Sequence, residues 1–266
     1  RAYGILAQVY RIQRDYDAAR RCAAESERLT QEPADAGSDS LTLQRAQILQ
    51  TLGEIEHEQT NLARAQELFE AALRIYQEAG HTHGQANCVK GLGDILSARG
   101  RYTQARERYE EAVAIVKELG DQQSASVCLR KIGMGMWREG EHATARRAGL
   151  ESLEICRAIG DREGEAASLV NLGLTAIAQG DYDETQRRLN ASVTIYRELG
   201  LERRTARGLH NLGISYMESG DMAASRRCLE QALEIDSVAG SPRDQALDLG
   251  WLGKLHWFLK EYETAI

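Results

Sequence analysis

Asn171-Leu172-Gly173 is the stretch that decides the fold, because it does not stand alone. The Leu-Gly pair returns as Leu52-Gly53, Leu92-Gly93, Leu212-Gly213 and Leu252-Gly253, and Ile132-Gly133 fills the remaining place. Glycines 53, 93, 133, 173, 213 and 253 are each 40 residues apart. Self-similarity at a fixed period of this kind means an array of small units, each packed on its neighbours.

Outward from Gly93, the residues Val89, Leu92 and Leu96 are spaced three and four apart, which is helical periodicity over about 85–99. Gly100 then predicts a left-handed stop. Tyr102, Ala105, Tyr109, Ala112, Val113 and Val116 form a second periodic run that closes at Gly120, and Asp121 is placed to cap the next helix. Gly140, Gly180 and Gly220 repeat the first stop, and Gly80, Gly160, Gly200 and Gly240 repeat the second. Ser241-Pro242-x-Asp244 reads as a helix start, with a serine cap, proline in the first turn and an early carboxylate. Each unit is therefore predicted to be two antiparallel helices joined by a short turn.

Small residues recur where those helices must touch. Twelve after each repeat glycine stand Ala65, Ala105, Ala145, Thr185, Ser225 and Ala265; nineteen after it stand Ala72, Ala112, Ser152, Ser192 and Ala232. A glycine inside a helix costs ~1 kcal/mol relative to alanine, which close approach of two backbones can offset.

Leu-Gly, Gly180-Asp181-Tyr182 and the paired small residues together resemble the tetratricopeptide repeat (TPR) family over essentially the whole chain. The 40-residue unit, with its Leu199-Gly200 ending, is similar to the long form in bacterial STAND-type regulators and adaptors of the LGN/Pins kind. It departs from the short form in lacking the proline that commonly closes a repeat. The resemblance implies an all-α, right-handed α-solenoid (superhelix) of antiparallel helix pairs that binds a protein or peptide along its inner, concave groove. It also suggests a place in a bacterial signalling ATPase or transcription regulator, as a ligand sensor or autoinhibitory domain, with a peptide-sensing regulator of a phosphatase or kinase pathway as a further reading.

The units are expected at about 1–40, 41–80, 81–120, 121–160, 161–200, 201–240 and 241–266, forming one solenoid over 1–266. The first is degenerate: Ala7 takes the glycine's place, Tyr16, Ala19 and Ser26 follow in register, and the spacing from Ala7 to Gly53 is 46. The six extra residues fall in Gln31 to Ser40, rich in Pro, Gly, Ser and Asp, and are read as a loop. The last unit stops soon after Tyr262, so the chain reads as a piece of a longer protein whose uncapped ends leave self-association open.

The composition, 42% apolar and 27% charged, is that of a soluble globular chain, and a net charge of −7 argues against nucleic acid as a direct partner. No run approaches the roughly 18 apolar residues of a membrane span. Cys22, Cys88, Cys128, Cys156 and Cys228 are odd in number and form no C-x-x-C, so they read as small buried hydrophobes in a reducing, cytoplasmic setting.

By resemblance, the residues three before, one after and four after each glycine line the groove. They run Gln50, Glu54, His57; Lys90, Asp94, Ser97; Arg130, Met134, Trp137; Val170, Leu174, Ile177; His210, Ile214, Met217; Gly250, Lys254, Trp257. The first half is polar and the second apolar with cationic edges. An apolar stripe facing water, with Trp, Met and Arg in it, reads as a binding surface; the competing reading is that neighbouring helices cover it. Trp251, Trp257 and Phe258 stand under both readings. Asn171 and Asn211, two before their glycines, fit either an extended peptide backbone or a bond between adjacent helices. The partner-binding set is thus Arg130, Met134, Trp137, Asn171, Leu174, Ile177, His210, Asn211, Ile214, Met217, Lys254 and Trp257. A carboxylate clamp is not reproduced, since Ile214 stands where a charge is wanted.

Arg20-Arg21, Arg146-Arg147, Arg187-Arg188 and Arg226-Arg227 read as a solvated face with pairs such as Arg226–Glu230 and Arg147–Glu151, rather than as a basic ridge. No phosphate-binding loop G-x-x-x-x-G-K-[ST] occurs, His81-x-His83 lacks metal-ligand companions, and no nucleophile is placed beside a histidine. No catalytic residue, metal or cofactor is expected.

Overall fold

The computed structural model describes residues 2–30, 39–239 and 241–264. Of the expected features, Gly240, Ala265 and residues 31–38 of the inserted loop lie outside them. The described residues form thirteen helices and no strand: α1 (Ala2–Ile12), α2 (Tyr16–Thr30), α3 (Asp39–Glu58), α4 (Leu62–Glu78), α5 (Thr82–Ala98), α6 (Tyr102–Glu118), α7 (Gln122–Glu139), α8 (His142–Ile159), α9 (Arg162–Ala178), α10 (Tyr182–Glu198), α11 (Glu202–Glu218), α12 (Met222–Ala239) and α13 (Pro242–Thr264). Their contacts divide the chain into two units, Arg1–Gly135 and Met136–Ile266, each a tetratricopeptide-type solenoid of consecutive helix pairs.

The stops fall where the glycines predict them. Gly80, Gly100, Gly120, Gly140, Gly160, Gly180, Gly200 and Gly220 all adopt φ between 64° and 89°, a region only glycine enters without strain. The turn between α3 and α4 makes the same bend with Thr60, at φ 65°. Caps close the other ends. Asp121, Asp161, Asp181 and Asp221 accept from the backbone N–H groups of Ser124, Gly164, Glu184 and Ala224 at 2.8–2.9 Å. His81 does the same through Nδ1, accepting from Gly84 at 3.0 Å and stacking on Tyr76. Its ring is occupied in holding the start of α5.

Packing follows the 40-residue register. Ala65, Ala105, Ala145, Thr185 and Ser225 are buried, as are Ala72, Ala112, Ser152, Ser192 and Ala232. In the first unit Phe69, Tyr76, Cys88 and Ile95 form one core with Ala46, Ala65 and Ala72. In the second, Leu189, Val193, Leu209 and Leu212 pack with Ala206 and Ala232. The two helices of a pair close over the repeat glycine: a Cβ at Gly53, Gly93, Gly173 or Gly213 would meet Phe69, Tyr109, Leu189 or Leu229 at 2.7–3.2 Å. Each of these partners lies sixteen residues further along.

Candidate functional site

Within each unit the first helices of successive pairs touch one another, α1 with α3, α3 with α5, α9 with α11 and α11 with α13. The stripe three before, one after and four after each glycine lies on these helices. In the second unit Trp137, Asn171, Leu174, Ile177, His210, Asn211 and Ile214 are all half-buried. Val170 packs against the neighbouring core and belongs to it in part. The side-chain amide of Asn211 has no hydrogen-bond partner among the described residues and stays open to solvent.

The remaining positions of the second unit differ among themselves. Met217 is buried, 5% exposed, and belongs to the interior instead of the accessible wall. His210 is committed to a neighbour: its Nδ1 lies 2.6 Å from Oδ1 of the buried Asp248. Lys254 is exposed and rests over the Trp251 ring at 4.5 Å, while Trp257 is 57% exposed and meets Phe258 edge to face. Arg130 and Met134, both half-buried, belong to the first unit, and Arg130 donates to Ser126.

The polar half of the stripe also forms a surface. In the first unit Arg11, Glu54, His57, Glu58, Asn87, Lys90 and Asp94, with Phe69 and Gly91, line a cleft of about 170 Å³. Its carboxylates are engaged: Glu54 and Glu58 with Arg11, and Asp94 with Lys131 at 2.7 Å and the Tyr109 hydroxyl at 2.7 Å. The sequence put Glu54, His57, Lys90 and Asp94 on the stripe but favoured its apolar half, and it did not single out Arg11, Glu58 or Asn87. The signal available was Asn87 and Lys90, three apart on one helix face.

Of the arginine doublets, Arg20 and Arg146 tie one repeat to the next, while Arg187 and Arg188 pair with Glu184 within α10. Arg20 reaches Glu56 at 2.8 Å, and Arg146 reaches Glu184 at 3.1 Å, where Arg188 also arrives at 3.0 Å. The expected Arg226–Glu230 pair does not form. A second network joins Arg157 and Arg162 to Glu165, and Arg162 to Glu198. Burial works to raise the Glu165 carboxyl, but the hydrogen bonds from Arg157 and Arg162 outweigh it and hold it below the usual carboxylate range. Burial pushes the Cys88 thiol up to about 12 and Cys128 to about 11, which keeps both neutral. No helix among the described residues is long and apolar enough to cross a membrane.

Family models described as tetratricopeptide repeat match residues 44–118, 124–198 and 206–237. The chain belongs to the tetratricopeptide repeat family. No curated protein sequence matches it. Among solved structures, BtubC (BKLC) from P. vanneervenii superposes with a TM-score of 0.72 at 20% identity, over 86% of this chain and 92% of that one. A signal transduction ATPase with numerous domains (STAND) protein with a tetratricopeptide repeat sensor, from Pyrococcus horikoshii, gives a TM-score of 0.72 at 16% identity. It covers 98% of this chain and 42% of its own. A Rap protein complexed with competence and sporulation factor gives 0.65 at 13% identity, over 80% of this chain and 65% of that one. At such identities the likeness is one of fold.

Proposed function

We propose that the chain is a non-catalytic scaffold that binds a protein or an extended peptide on the inner face of its second unit. The observation that carries this reading is the company of Leu174, Ile177 and Ile214, half-buried and apolar, with the unpartnered Asn211 amide on adjoining helices. Apolar side chains supply burial for a guest, and an open amide supplies one donor and one acceptor for its backbone. A preformed wall binds with little ordering cost. The Rap protein, of like fold, is seen with competence and sporulation factor, which supports a peptide guest.

The wider setting we infer is a cytoplasmic bacterial signalling protein in which this array senses a ligand. The STAND protein supports that setting, because it carries a tetratricopeptide repeat sensor and its likeness to this chain spans 42% of its length. Selection from a display library of short linear peptides tests the binding reading. Peptides that bind the chain should lose at least about tenfold affinity for Trp137→Ala/Leu174→Ser, since each anchor lost from an interface centre costs more than about 1 kcal/mol. Circular dichroism should show unchanged helicity. Binding that the double variant leaves intact would refute the assignment of the face.

A further inference from the structure

The last joint of the second unit is built differently from the others. Twenty-three residues after the repeat glycine stand Tyr76, Val116, Cys156 and Tyr196, all buried, and then Asp236. Five before the glycine stand Ile48, Cys88, Cys128, Ser168 and Gly208, again buried, and then Asp248. Where α4 meets α5 the two positions share one core, through Tyr76 and Cys88. Only where α12 meets α13 does the register put a carboxylate in both.

Those carboxylates are deeply placed, Asp236 at 3% and Asp248 at 1% exposure. Nδ1 of His210, from α11, lies 2.6 Å from Oδ1 of Asp248, at hydrogen-bond distance. The other oxygen, Oδ2, is buried with no partner among the described residues. Asp236 faces His210 and Arg203 from α11 and Asp244 and Asp248 from α13. Arg203 stands at the rim, 3.9 Å from Asp244. Two buried acids therefore share one close imidazole, and an ionised carboxylate without a counter-charge is costly in such a place. The chemistry that relieves it is a proton.

We propose that docking of α13 onto α11 and α12 takes up a proton, so that acid tightens this joint and alkali loosens it. Burial, then Asp248 and Asp244, lift the Asp236 carboxyl above its ordinary range. A carboxyl raised in the folded state contributes stability that is present below its unfolded value and is lost as pH climbs through the folded one. α13 carries Lys254 and Trp257, so the proton would also set the far edge of the proposed binding face. That consequence rests on the binding reading; the proton linkage does not.

Amide exchange by mass spectrometry on the whole chain without any ligand, from about pH 4.5 to 8, tests it. With rates corrected for intrinsic base catalysis, opening of α13 should rise by at least about tenfold over the range, at up to tenfold per pH unit for one proton. α5 and α6 serve as the reference and should stay level. Asp236→Asn, an isostere of the protonated acid, should flatten the profile; Asp248→Asn removes one repelling charge but leaves Asp236 buried, so it should reduce the rise without abolishing it. If Asp236→Asn leaves α13 undocked at every pH, Asp248→Asn decides. A wild-type profile in which α13 follows α5 and α6, or a slope undiminished in a docked Asn variant, overturns the proposal.

Discussion

Alanine at Gly93 and alanine at Gly253 should have opposite effects, although the two glycines hold equivalent places in the repeat. A Cβ at Gly93 would lie 2.7 Å from Cε1 of Tyr109 and 2.9 Å from Cδ1. The ring is 2% exposed, and its hydroxyl donates to Asp94 at 2.7 Å, whose carboxylate also holds Lys131. It cannot swing aside without breaking that chain of contacts. Overpacking of a buried site costs ~1–3 kcal/mol, and the gain from replacing a mid-helix glycine returns ~1 kcal/mol. The net expectation for Gly93→Ala is a loss of about 1 kcal/mol, reaching about 2 if the Tyr109–Asp94 bond is given up. At Gly253 no atom lies within 4 Å, so only the helix gain of about 0.5–1 kcal/mol remains. Urea unfolding followed by circular dichroism should move its midpoint down for Gly93→Ala. Amide protection of α13 should increase for Gly253→Ala. A Gly93→Ala chain as stable as the wild type would refute the claim that the repeat glycine is there to let two helices close.

Thr60→Gly should stabilise the first unit by about 1 kcal/mol, since a β-branched residue at φ 65° is strained and glycine is not; a urea midpoint that falls would contradict this. In the native chain Cys88, Cys128 and Cys156, all buried, should react with a thiol reagent at pH 8 well after the half-buried Cys22 and Cys228. Glu165 contributes stability that is present above its unfolded value and lost as pH falls through its lowered folded one. Acid unfolding of the second unit should therefore begin at higher pH in the wild type than a Glu165→Gln chain would show relative to its own neutral-pH stability. Both arginines are about half exposed, which keeps this effect small.

What the sequence disclosed was whatever the period of 40 dictates. Glycine stops, aspartate caps and paired small residues are each fixed by the backbone within one turn of a helix, so their spacing could be read without coordinates. What stayed hidden depends on residues brought together across joints. Arg146 meets Glu184 and His210 meets Asp248, each 38 positions away, whereas the sequence suggested pairs one helical turn apart. Thr60 makes a turn with no glycine to announce it. Met217 shared the spacing of Ile177 and yet is buried, because what covers a stripe comes from neighbouring helices and spacing does not disclose it.

The repeat itself explains where individuality can reside. Positions twelve, sixteen and nineteen after the glycine are locked, because a larger or charged side chain there would hold two helices apart. The residues three before and one after the glycine are less tightly bound by this rule, and it is there that the chain changes from Lys90 and Asp94 in the first unit to Leu174 and Ile214 in the second. Polar residues buried where one repeat meets the next are a different matter. Ser152 and Ser168 satisfy one another at 2.9 Å, so that joint needs nothing more. Asp236 and Asp248, at the corresponding joint two repeats on, are both acceptors when ionised and cannot do the same. A pair of like charges at a position that tolerates neutral residues in the other repeats works against stability unless protons intervene. That is why the last joint, rather than the more regular ones before it, is where acidity should reach the fold.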